Sequence, residues 1–132
     1  MLYCLDTNIV IDLFRNDPSV KKKIEEIEQQ QVHISISPIV LCELWQGVYL
    51  APKQRNPTEL IKAFLEDVEI IDFTKDAAEI YGKQYAQLKA TGKQTQEFDL
   101  MIASICIAHN AILITRNHKD FANIKDLKMV AW

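Results

Sequence analysis

Five short apolar runs, separated by long stretches of helical periodicity, constrain this chain more than any other feature. LYCL (Leu2–Leu5), VHISI (32–36), VEIID (68–72), AILIT (111–115) and KMVAW (128–132) read as strands, the last at a sheet edge. The segments between them are too long for hairpins and carry helix signals. This alternation predicts an α/β fold with a mostly parallel central sheet covered by helices on both faces. In such sheets, sites form at the carboxyl ends of the strands.

The helices announce their own starts. Asp17 before Pro18 opens one, Ser37 before Pro38 a second, and Asn56 before Pro57 a third, with Glu59 placed as in a capping box. Ile9 to Phe14 reads as a short helix, and 75–92 as a long one closed by Gly92. EFDLMIASICIAHN (97–110) is apolar nearly all round, so it should lie centrally and buried. Trp45, Tyr49, Tyr81 and Tyr85 fall at helical spacing and read as packing residues; Trp45 and Tyr49 also suit a partner-binding surface. Lys21 to Lys23 read as a solvated helix face. With 132 residues and no repeat or Gly/Ser linker, the chain is expected to form one domain, 1–132.

Four acids interrupt or border this apolar sequence. Asp6 ends the first strand, and burying a carboxylate is costly unless something compensates it. Glu43 stands inside IVLCELWQGVYL with no basic residue one helical turn away, and Gly47 clears space beside it. Asp99 lies in the first turn of the most apolar helix, where the helix dipole favours its charge. Asp120 follows Thr115, Arg116 and Asn117, which end the fourth strand. Each acid alone has an ordinary reading: a turn residue, an exposed stripe, a helix-terminus charge, a solvated loop. Together, Asp6, Asp99 and the TRN loop can converge at one edge of a parallel sheet. Like charges that close raise one another's pKa, and a hard divalent cation such as Mg²⁺ or Mn²⁺ resolves the conflict. A carboxylate cluster holding such an ion suits phosphodiester cleavage.

Composition narrows the alternatives. No Gly-rich phosphate loop points to nucleoside triphosphate chemistry. A net charge of −3 argues weakly against nucleic-acid binding, but setting four site acids aside leaves the remainder near +1. No apolar run has membrane-spanning length and no signal peptide is evident, so no membrane contact and a cytoplasmic location are expected. Cys4, Cys42 and Cys106 are odd in number and each lies among apolar residues, which predicts three buried free thiols. No metal spacing links His33, a strand residue, His109, at a helix end, and His118, in a loop.

Four stretches in order, LDTNIVIDL, SPIVLCELWQGV, DLMIASICIAHNAILITRNHKDF and LKMVAW, resemble a PIN-domain ribonuclease of the VapC toxin type, over essentially the whole chain. The resemblance implies a three-layer α/β/α sandwich and Mg²⁺- or Mn²⁺-dependent endoribonuclease activity. It also implies a toxin–antitoxin pair controlled by a small cognate antitoxin, and a homodimer that forms higher assemblies with it. Asp6, Glu43 and Asp99 match the three central acids, with Asp120 taken as the fourth; Asp6 and Asp99 would bind the metal most directly. Thr7 and Thr115 would orient the acids or an attacking water, Asn8 would hydrogen-bond Asp6, and Asn117 would stand as a polar neighbour. Arg15 and Arg116 lie nearest the cleft for phosphate contacts. Lys125-Asp126 stand where the family commonly has a Pro-Gly turn. Two other readings share this sequence: a catalytically inactive PIN domain serving as a protein- or RNA-binding module, and a nuclease for structured DNA, for which the chain lacks room for a gripping insertion.

Overall fold

In the computed structural model, which describes residues 1–132 (Arg55 by its backbone alone), the five strands form one sheet in the order β3-β2-β1-β4-β5. They are β1 (Leu2–Leu5), β2 (His33–Ile36), β3 (Glu69–Ile70), β4 (Ile112–Thr115) and β5 (Lys128–Ala131). All four pairings are parallel. β1 is central, with Tyr3 in register with Ile34 of β2 on one side and Ile112 of β4 on the other. The third strand is shorter than its VEIID pattern. It keeps only two paired residues at the sheet edge, and both are exposed.

The helices are α1 (Thr7–Phe14), α2 (Pro18–Glu28), α3 (Pro38–Leu50), α4 (Thr58–Asp67), α5 (Lys75–Ala90), α6 (Glu97–Ala108) and α7 (His118–Phe121). From β1 the chain winds one way to β2 and β3, then returns across the sheet to β4 and β5. Right-handed crossovers therefore place helices on both faces. α1 packs against α2 and α3, α5 against α6, and α6 against α7. α3 also meets α6, which brings the helix of Glu43 beside that of Asp99. α6 is the central helix its composition predicts: Leu100, Ile102, Ala103, Ser104, Ile105 and Cys106 are buried.

Local capping explains most boundaries. The Asp17 carboxylate accepts from the amides of Ser19 and Val20, and Ser37 Oγ accepts from Val40 N. Gly92 takes φ +69 beyond α5, where its amide and that of Lys93 close the last turn on Lys89 and Leu88 carbonyls. Asp126 takes φ +65, so the Lys125-Asp126 turn uses the left-handed conformation without a glycine. The third start differs from expectation. α4 begins at Thr58, and Asn56 Oδ1 accepts from Thr58 N in a local turn ahead of the helix, so no capping box forms with Glu59.

Three further expectations are corrected. Cys4 and Cys106 are buried, but Cys42 is exposed, because α3 turns that face outward. The neighbouring Cys4 side chain and burial hold the Cys106 thiol well above the ordinary thiol range. Tyr49 is 81% exposed and Tyr85 44% exposed, so neither is core, although each lies beside an aromatic partner, Trp45 and Tyr81. His118 opens the one-turn α7 instead of lying in a loop.

Gly82 sits within α5 with open space where a Cβ would project. Gly82→Ala is expected to stabilise the protein by about 0.5–1 kcal/mol through helix propensity alone. Denaturant melts should show a higher midpoint at unchanged slope.

Candidate active site

β1 and β4 are neighbours whose connections leave in opposite directions, so the crevice at their carboxyl ends is the switch point of the sheet. Asp6 follows β1 there and is only 6% exposed. Its amide donates to the Ile114 carbonyl at 2.9 Å, which ties it to β4. Its Oδ1 accepts from Thr7 N at 2.9 Å as the N-cap of α1, and its Oδ2 accepts from Thr115 Oγ1 at 2.7 Å. The Thr115 hydroxyl, fully buried, accepts in turn from Asn117 N at 3.0 Å. Thr7 reaches the other way: its Oγ1 donates to Glu43 Oε1 at 2.8 Å, linking α1 to α3.

The electrostatics tie the four acids into one field. Burial pushes the Asp6 carboxyl above its ordinary range; the hydrogen bonds from Thr115 and Thr7 oppose this, and Asp120 adds to it. Burial raises Glu43 as well, opposed by its bond from Thr7 and reinforced by Asp6. Asp99, half-buried in the first turn of α6, is pushed up to about 6 by burial and then by the charges of Asp6, Asp120 and Glu43. Asp120 is exposed on α7 and still contributes to both Asp6 and Asp99. Among the described residues, no lysine or arginine forms an ion pair with any of the four.

This donor set fits a divalent cation in its chemistry: hard oxygen ligands, mutual repulsion and no cationic partner. Among the described residues no three acids, histidines or cysteines stand ready as a closed metal shell. Mg²⁺ does not require one, since it keeps several waters and uses one or two carboxylates together with substrate phosphate.

The structure places the supporting residues unevenly. Thr7 and Thr115 touch the acids directly. Asn8 does not bond Asp6, whose lone pairs face Thr7 N and Thr115; Asn8 Oδ1 is buried without a partner. Asn117 contributes its backbone amide, while its exposed side chain caps nothing. Arg15 ends α1 and lines a groove of about 400 Å³ together with Glu43, Ile11, Leu44 and Leu60. Arg116 is held by two acids: Nε lies 2.6 Å from Asp12 and Nη2 3.2 Å from Asp17, the residue that caps α2.

Asp12 was not visible as a functional residue in the sequence. Its only signal was a carboxylate in an otherwise apolar helix, with an arginine more than a hundred residues later. The Arg116 clamp anchors the segment that carries Asn117 and Asp120. Arg116→Ala should cost about 0.5–1 kcal/mol of stability, as partly exposed ion pairs do. Denaturant melts measure the effect, and Arg116→Lys should recover part of it.

The PIN domain family profile matches residues 3–127. Ribonuclease VapC2 of Rickettsia felis is 36% identical over 132 residues, covering 100% of this chain and 98% of that protein. Ribonuclease VapC1 of Haemophilus influenzae is 31% identical over 133 residues, again covering 100% and 98%. The crystal structure of VapBC2 from Rickettsia felis, bound to a DNA fragment from their promoter, contains a chain that superposes with a TM-score of 0.92 at 35% identity. That alignment covers 100% of this chain and 99% of the other. The three-layer arrangement with an all-parallel sheet and the ordered acids thus define a PIN domain. The chain belongs to the PIN-domain family, among its VapC-type ribonucleases.

Proposed function

We propose that this protein is a Mg²⁺- or Mn²⁺-dependent endoribonuclease acting as the toxin of a toxin–antitoxin pair. The observation that supports the metal dependence is the unpartnered field of four acids at the switch point, with Asp99 raised to about 6. The bound ion would polarise the scissile phosphate and activate water. Asp6 and Asp99 would hold it, with Glu43 and Asp120 completing the acidic surround or orienting water. Thr115 fixes the rotamer of Asp6, and Thr7 fixes Glu43 relative to α1. In-line attack by water would leave a 3′-hydroxyl and a 5′-phosphate. Arg15, which makes no ion pair among the described residues, is better placed to meet RNA phosphate than Arg116, whose guanidinium is already engaged.

A small antitoxin is the expected partner, by likeness to the VapBC complexes. The groove that runs from Leu60 and Ile11 to Arg15 and Glu43 gives it an apolar seat ending at the acids. The active form would be a homodimer, assembled further with antitoxin, in the cytoplasm. No helix among the described residues is long and apolar enough to cross a membrane.

The test is cleavage of total cellular RNA by purified protein with Mg²⁺, with Mn²⁺ and with EDTA, the products being end-sequenced. Discrete cuts that need the metal support the reading. A folded, antitoxin-free sample that makes no cuts and binds no Mn²⁺ would favour the inactive binding module. Parallel DNA substrates separate ribonuclease from deoxyribonuclease action.

A further inference from the structure

The turn between α5 and α6 lines a second, half-open cavity, outside the acidic cleft, of about 330 Å³. That is at the lower end of the range, about 300–1,000 Å³, of small-ligand sites. Tyr85 and Lys89 of α5, Lys93 and Thr95 of the turn, and Glu97 and Leu100 of α6 line it. Glu97 and Leu100 share the first turn of α6 with Asp99 but lie on other sides of the helix, so the cavity sits about 10 Å, one helix width, from the acidic cleft.

Three features mark it as built for a planar polar group. Thr95 Oγ1 is buried and has no hydrogen-bond partner, whereas buried hydroxyls are normally paired. Tyr85 is 44% exposed and is held by stacking on Tyr81, with centroids 6.1 Å apart and planes at 26°. Lys89 and Lys93 add two exposed cations at the rim, beside the single carboxylate of Glu97. An aromatic face joined to basic side chains is the general arrangement for single-stranded nucleic acid, which stacks its bases and tracks its phosphates.

We propose that this cavity receives one unpaired nucleobase of the RNA whose phosphate lies at the acids. Tyr85 stacks on the base, Thr95 and Glu97 meet its polar edge, and Lys89 and Lys93 meet the flanking phosphates. The proposal rests on the ribonuclease reading above. A carboxylate only accepts hydrogen bonds, so Glu97 favours the amino groups of adenine and cytosine over uracil, whose single N3–H lies between two carbonyl oxygens that a carboxylate repels. RNA is read in this way, through splayed-out bases stacked on aromatic side chains.

The test is anisotropy of fluorescein-labelled oligo(A), oligo(C) and oligo(U) titrated with the full chain in EDTA, which prevents cutting. Wild type should prefer oligo(A) and oligo(C) to oligo(U). Tyr85→Ala should weaken all three about tenfold. Glu97→Gln, which adds a donor, should bring oligo(U) level with the others. Lys89→Ala combined with Lys93→Ala should weaken all three alike and flatten the salt dependence. Circular dichroism of each variant controls for folding, and Thr95→Val serves if Tyr85→Ala fails to fold. Metal-dependent cleavage by wild type, run alongside, tests the ribonuclease reading separately. Base-selective, Tyr85-dependent binding without any cleavage keeps the cavity and removes the enzyme. Wild type that cuts, with Tyr85→Ala binding and cutting equally well, overturns the cavity and keeps the enzyme. A change in molecular mass for Tyr85→Ala at unchanged RNA affinity assigns the cavity to contact between copies and overturns the proposal as well.

Discussion

Asp6→Asn should lower RNA cleavage by at least about 10³-fold while leaving the protein folded. Asn keeps the shape of Asp6 and retains an oxygen that can accept from Thr7 N or Thr115 Oγ1, so the join between β1, α1 and β4 survives. What it loses is the charge at the centre of the acidic field. An ion stabilising phosphate in the transition state is worth several kcal/mol, and about 4 kcal/mol corresponds to 10³ in rate. Mn²⁺ titration by calorimetry should show affinity falling in parallel, with circular dichroism unchanged. Removing a buried charge from a repulsive cluster should also raise the melting temperature of the metal-free protein. A variant that is more stable yet inactive separates a functional carboxylate from a structural one. Asp6→Asn that cuts RNA at the wild-type rate would show that Asp6 is only a helix cap.

The strand runs and proline-led helix starts were readable because they are local. Asp17-Pro18 and Ser37-Pro38 carry their caps within four residues, and the all-apolar pattern of α6 requires a central position. The acids were readable as anomalies, charges in apolar surroundings, and the family resemblance ordered them. What joins them was not readable. The bond from Thr7 to Glu43 spans 36 positions, and that from Thr115 to Asp6 spans 109. Both depend on how sheet and helices meet, not on any local pattern. At Asn56 the side-chain oxygen does accept from the amide two residues on, at Thr58, but the helix starts one residue later than the Asn56-Pro57 pattern places it. The same limit hid the Arg116 clamp, since a cation near a cleft invites a phosphate until its carboxylate partners are seen. Cys42 shows the converse: its neighbours are apolar, but helical rotation points it outward.

The second large effect concerns pH, with Asp99 at its centre. In the unfolded chain an aspartate titrates near about 3.9. In the folded protein Asp99 titrates at about 6, raised by burial and by the neighbouring acids. Between those values the folded protein holds a proton that the unfolded chain has released, so stability falls as pH rises through this window. It is fully present below about pH 4 and fully lost above about pH 6. Burial raises Asp6 and Glu43 too, so they act in the same direction. The Asp99 shift alone corresponds to about 3 kcal/mol at most. Its half-open position lets solvent screen that to about 1 kcal/mol. Asp99→Asn should therefore raise stability at pH 7 by about 1 kcal/mol, flatten the pH dependence between 4 and 6, and abolish cleavage. Mn²⁺ binding should strengthen as pH rises through about 6, because the ion competes with the Asp99 proton and releases it. In wild type, Mn²⁺ at pH 7 should restore the stability that repulsion removes. Melting curves from pH 4 to 8, with and without Mn²⁺, decide the matter. A metal-free wild type whose stability climbs steadily across that range would show that the acids do not repel one another in the folded state, and the need for a cation at their centre would disappear.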